Sequence, residues 1–133
     1  MNLSIPDFVK IVIDGILKDI STTSIWLVGS RANGYETEKS DWDILYFSND
    51  EPIPKKRRND LVDSIHVGPS NTGQTDGNDL VFPFDNWEWK EIDNLNATYL
   101  GRKFIDYPDG AKDVSDPIYE SRLCNAYCLW RKE

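Results

Sequence analysis

Residues Ser24 to Val28 form a short apolar run that ends directly at Gly29. A run this short, rich in side chains that suit extended backbone, predicts a strand buried on both faces. A second run, Trp42 to Phe47, follows the polar connection from Gly29 to Ser40 and predicts a second strand, with Asp43 near its start. Two buried strands need layers to cover them, and the flanking segments offer helices. Phe8, Ile11, Val12, Ile16 and Ile20 recur at near-helical spacing, so residues 5 to about 20 read as a helix, with Ser4 as N-cap and Pro6 and Asp7 in the first turn. Gly15 is a mild cost inside it. Further on, residues 55 to 63 suggest a short helix, 64 to 67 a strand, 68 to 78 a turn-rich loop, and Asp79 to Phe82 a strand ended by Pro83. Residues 85 to 100 read as a helix burying Trp87, Ile92, Leu95 and Tyr99. Pro117 to Arg131 reads as a last helix carrying Ile118, Leu123, Tyr127 and Trp130. The expected fold is α+β or α/β, a small mixed β-sheet flanked by helices.

The 133 residues suit one domain spanning 1–133, without a linker that would separate a second. A net charge of −8 argues against a sequence-blind grip on nucleic-acid phosphates, because that grip is electrostatic. An acidic chain still binds a nucleotide when a metal carries the positive charge. The sequence holds no apolar run near the roughly 18 residues of a membrane span, so no membrane association is expected. Asp7, Asp14 and Asp19 do not suit a secretory signal. Cys124 and Cys128 share one face of a helix and read as small reduced core residues; with His66 the one histidine, a zinc site lacks ligands. A cytoplasmic location is the expectation.

Chemistry concentrates in Gly29-Ser30-Arg31-Ala32-Asn33-Gly34 and Ser40-Asp41-Trp42-Asp43-Ile44. A glycine at the end of a buried strand lets the chain turn and lets a ligand approach the backbone. Ser30 adds a hydroxyl, and a short helix from residue 30 would aim amides at an incoming anion. Asp41 and Asp43 are two apart, so in extended chain they project to one side. Two carboxylates so placed repel unless a cation sits between them. Mg²⁺ or Mn²⁺ meets that demand, since a hard divalent ion takes oxygen ligands and keeps positions for waters and substrate phosphates.

Taken together, Gly29-Ser30 with Arg31 and Gly34, then Ser40-Asp41-Trp42-Asp43-Ile44, resemble the signature of the DNA polymerase beta superfamily of nucleotidyltransferases, and its small stand-alone (minimal) members above all. The resemblance covers about residues 24 to 47 and extends more weakly to about 85. It implies the polymerase beta-like fold and transfer of a nucleoside monophosphate from a nucleoside triphosphate, ATP the expected donor, to a hydroxyl acceptor with release of pyrophosphate. It implies that Asp41 and Asp43 bind Mg²⁺ or Mn²⁺, that Gly29 and Ser30 hold the triphosphate, and that Arg31 and Ser40 belong to the nucleotide site. It also implies a third carboxylate that helps bind a metal and serves as base. Asp79, before Leu80-Val81-Phe82, fits that position best; Asp63, before Ser64-Ile65-His66, is the alternative, and Asp85 comes third.

Larger members carry a helical domain for the acceptor, so here a homodimer or a helical partner protein is expected to complete that surface. A second reading from another class is a catalytically silent module of the same fold that binds a nucleotide or a partner, in the manner of an antitoxin. Lys55 to Arg58 read as a solvated helix start, His66 as a structural side chain, and Trp87 and Trp89 as core and surface, against a stacking role on a base.

Overall fold

The computed structural model describes residues 4–50, 61–69, 72–75, 81–83, 88–104 and 119–133. The chain enters through α1 (Asp7–Ile16) and continues into β1 (Thr22–Val28), the one-turn helix α2 (Ser30–Asn33) and β2 (Trp42–Ser48). Then come β3 (Val62–Val67), β4 (Thr72–Thr75), β5 (Val81–Pro83), β6 (Lys90–Glu91), β7 (Asn96–Phe104) and β8 (Tyr119–Arg131). The strands form one mixed sheet in the order β5-β4-β3-β2-β1-β8-β7-β6. Among the described residues, β2 and β3 pair in parallel and the other neighbouring strands pair antiparallel.

β1 is central because its sequence permits it. Ile25, Trp26, Leu27 and Val28 are all buried, so both faces of the strand are dry. Ile25 and Leu27 point to one side, where they meet Val9 of α1, Ala32, Ile44, Tyr46 and Val62. Trp26 and Val28 point to the other, with Leu45, Val67, Ala97 and Ala126. Phe47, Ile65, Trp89, Tyr99 and Cys128 pack around that second group. Trp89 meets Trp26 edge-on with ring centroids 5.1 Å apart and Phe47 at the same separation, so this half-buried ring packs against the core. His66 is buried too, stacked on Tyr46 at 4.6 Å and bonded to the Ser48 hydroxyl.

Several expectations change. The N-cap of α1 is Pro6, whose carbonyl accepts the Val9 and Lys10 amides. The helix stops at Ile16, and Ile11 and Ile20 are exposed, while Val9 is its fully buried residue. Residues 62 and 63, expected to end a helix, begin β3, and the expected loop 68–78 contains β4.

The largest corrections concern the C-terminal half. Residues 90 to 100 are not helical. Asp93 accepts the Leu95 and Asn96 amides, both at 2.8 Å, and folds the chain back between β6 and β7. The Leu95 amide foremost holds the Asp93 carboxyl below its ordinary value. Residues 119–131 form a strand, not a helix. A register shift opposite Ile25 and Trp26 explains the misleading spacing: Ile25 pairs with Trp130, yet Trp26 pairs with Cys128. The extra residue puts Tyr127 and Trp130, three apart, on the face that packs with Ile25 and Leu27. Cys124 and Cys128 keep one face, as i and i+4 do in a strand as well as in a helix, and both are free thiols. Among the described residues no helix is long and apolar enough to cross a membrane.

Candidate functional site

The antiparallel register of β1 and β2 pairs Val28 with Asp43, so the end of one strand lies beside the start of the other. Gly29 then adopts φ +77° and ψ −156°, a combination that belongs essentially to glycine. The reason is visible across the sheet. A Cβ on Gly29 would overlap the Asp43 carboxylate oxygen and stand 3.0 Å from its Cγ. The glycine therefore serves two needs: the backbone turn and the close approach of an acidic side chain.

β3 brings a second carboxylate to the same level. In the parallel register Asp43 pairs with Asp63, and paired positions of neighbouring strands project to one face. That face is the one opposite α1, since Leu45 and Val67 on the same sides of β2 and β3 pack with Trp26 and Val28. Asp41 stands two residues before Asp43, just ahead of the strand, and all three aspartates are half-buried. Asp79 and Asp85 lie outside the described residues, as do Lys55 to Arg58 and Trp87.

The other predicted residues take different work. Arg31 donates from Nε and Nη2 to the Ser40 carbonyl at 3.1 and 2.8 Å, and from Nη2 to the Thr37 carbonyl at 3.3 Å. Its guanidinium also lies 4.5 Å over the Trp42 ring. The Ser40 hydroxyl accepts the Thr37 amide at 2.8 Å. Arg31 and Ser40 thus build the connection between α2 and β2. The Ser30 hydroxyl, in contrast, has no hydrogen-bond partner among the described residues.

Two contributors were not assigned to the site from sequence. The Gly29 amide donates to the Tyr99 hydroxyl of β7 at 3.1 Å. Asn33 Nδ2 donates to the Gly29 carbonyl at 2.8 Å, which ties both ends of the turn. Asn33 lies within the glycine-serine stretch without an assigned role there, and Tyr99 reads from sequence as one more apolar contact. Burial pushes the Tyr99 phenol from 10.0 up to about 12; the Gly29 amide pulls the other way, and Cys124 and Asp43 add to the rise. A phenol raised in the folded state stabilises the fold below its unfolded value and loses that contribution as pH rises through about 12. Stability should therefore fall by up to ~3 kcal/mol more in the parent than in Tyr99→Phe between about pH 10 and 12. Urea midpoints of the two proteins across that range check it; parallel curves would refute the assignment.

Among the described residues, no three His, Cys, Asp or Glu side chains are gathered closely enough to hold a metal by themselves. Magnesium does not require such a cage. It binds through one or two carboxylates and completes its shell with waters and substrate phosphates. The hard oxygen donors at one level of β2 and β3, beside a turn that tolerates close approach, have the chemistry this ion needs.

Residues 9–98 match the family described as nucleotidyltransferase domain. Comparison with curated proteins and with solved structures returned no match.

Proposed function

Because this chain belongs to the nucleotidyltransferase domain family, we propose that it moves a nucleoside monophosphate from a nucleoside triphosphate, ATP first, to a hydroxyl acceptor. The acceptor oxygen bonds to the α-phosphorus, the bond to the bridging oxygen breaks, and pyrophosphate leaves. Asp43 and Asp63, with Asp41 two residues before Asp43, would supply the one or two carboxylates that hold Mg²⁺ or Mn²⁺, which supplies charge neutralisation on the phosphates when bound. The Gly29-Ser30 turn positions the triphosphate, with the Ser30 hydroxyl as a donor. The third carboxylate accepts the proton that the acceptor hydroxyl loses. Positioning and preorganised charge account for most of such a rate gain.

The observation that carries this reading is the packing of the Asp43 carboxylate on the Cα of Gly29. The pairing of Asp43 with Asp63 favours Asp63 as the third carboxylate over Asp79. Asp63→Asn should cut turnover by about a hundredfold or more, with Asp79→Asn near the parent rate. The reverse result would return the role to Asp79.

The acceptor is proposed to be presented by a second protein chain, and a net charge of −8 disfavours a nucleic-acid end. A silent nucleotide-binding module is the competing reading. It draws support from Arg31, whose guanidinium is committed to the carbonyls of Thr37 and Ser40. Pyrophosphate release from ATP with Mg²⁺ or Mn²⁺ separates the two, together with mass spectrometry of co-purified proteins for an added nucleotide. Metal-dependent nucleotide binding without release or adduct would favour the silent module; neither binding nor release would end both.

A further inference from the structure

The Gly29–Asn33 turn is fastened to the C-terminal hairpin at two points, and both partners lie beyond residue 98, where the family match ends. One is the Tyr99 hydroxyl of β7, which accepts the Gly29 amide at 3.1 Å. The other is the backbone of Asn125 in β8. Its amide donates to Asn33 Oδ1 at 2.7 Å, and its carbonyl accepts Asn33 Nδ2 at 3.3 Å. The same Asn33 Nδ2 donates to the Gly29 carbonyl at 2.8 Å. Both polar groups of Gly29 are thus fixed, one directly by β7 and one through Asn33 by β8. Glycine reaches this mirror-extended conformation without strain, and it reaches others as readily, so the fastenings select it.

We propose that the β7–β8 hairpin positions the nucleotide-holding turn, with Tyr99 and Asn33 as its two positioning residues. The inference rests on the nucleotidyltransferase reading of Gly29 and Ser30. It adds two contacts, from Tyr99 and Asn125, that lie outside both the family match and the acidic motif. Tyr99 suits the task. Its ring is held against Trp89 at 6.1 Å, so the hydroxyl is presented on a packed support. The phenol is neutral across ordinary pH, and burial carries that neutrality further into the alkaline range. With the Gly29 amide committed to Tyr99, phosphate contact passes to the Ser30 hydroxyl, and the hairpin decides where that hydroxyl stands.

Tyr99→Phe keeps the ring and removes the one oxygen that holds the turn; Asn33→Ala removes the other fastening. Calorimetry with Mg-ATP and amide exchange resolved by residue test both. Each variant is expected to weaken Mg-ATP binding by about tenfold, the worth of one net hydrogen bond. Exchange should quicken at residues 29–33 while the amides of β2 and β3 keep their protection. Unchanged exchange at 29–33, or parent-like nucleotide affinity in both variants, overturns the positioning role. A uniform loss of protection with parent-like affinity also overturns it, since that is a purely structural effect. Failure of the parent protein to bind Mg-ATP at all is a separate outcome: it brings down the nucleotidyltransferase reading itself and this proposal with it.

Discussion

Asp43→Asn should lower nucleotidyl transfer by at least about a thousandfold while the protein folds as before. The loss follows from what the carboxylate is asked to do. Metal-borne charge stabilisation in such a transfer is worth several kcal/mol, and each 1.36 kcal/mol is a factor of ten. The preserved fold follows from position. Asp43 stands at the start of β2, half-buried, with Asp63 paired beside it on β3 and Asp41 two residues away. Removing one negative charge from such a group relieves repulsion in the metal-free protein, so the melting temperature should hold or rise slightly. Asparagine matches the shape of aspartate and leaves the contact with Gly29 in place. Pyrophosphate release, read beside a thermal melt, checks both halves. A folded Asp43→Asn protein that retains turnover would remove the metal role from this residue.

The second large effect belongs to Gly29→Ala. At φ +77° and ψ −156° an alanine is strained, and its Cβ would also overlap the Asp43 carboxylate. Strain of this kind costs about 1–3 kcal/mol, and the forced movement of Asp43 adds a comparable amount. The variant should lose about 2–6 kcal/mol of stability and about a hundredfold or more in activity, because displacement by roughly 1 Å at a reacting centre costs that much. Gly34→Ala is the matched control. Gly34 also has a positive φ, 76°, yet a Cβ there meets nothing within 4 Å. It should lose only the conformational part, about 1 kcal/mol, and keep most of its activity. Equal losses in the two variants, by urea unfolding and pyrophosphate release, would show that crowding against Asp43 contributes nothing.

The parts of the fold that sequence makes legible are those where one local rule dominates. Ser24 to Val28 is too apolar and too short for anything but a buried strand, and the structure extends it only to Thr22. Trp42 to Phe47 likewise becomes β2 with one added residue. The turn between them is legible because a glycine and a serine at a strand end, before two alternating acids, satisfy several constraints together. The C-terminal half fails for the opposite reason. Leu123, Tyr127 and Trp130 carry a spacing near four, and the bulge in β8 imitates it by moving Trp130 onto the face of Tyr127. A bulge is set by the partner strand, which the local sequence cannot display. Leu123 is in fact exposed, while Cys124 and Ala126 are buried, the alternation that marks a strand. Tyr99 was legible as an apolar contact, but its hydrogen bond to Gly29 spans seventy positions in sequence and depends wholly on tertiary structure.

The place of β8 beside β1 bears on how the protein is handled at the bench. A shortened chain that stops at residue 98, where the family match stops, would lack this strand and leave one side of β1 without its ladder. Ile25, Trp26 and Leu27, all fully buried in the intact sheet, would then offer open amides and carbonyls to any other extended chain. Such a trimmed version should self-associate and precipitate, so a soluble minimal version needs the hairpin retained.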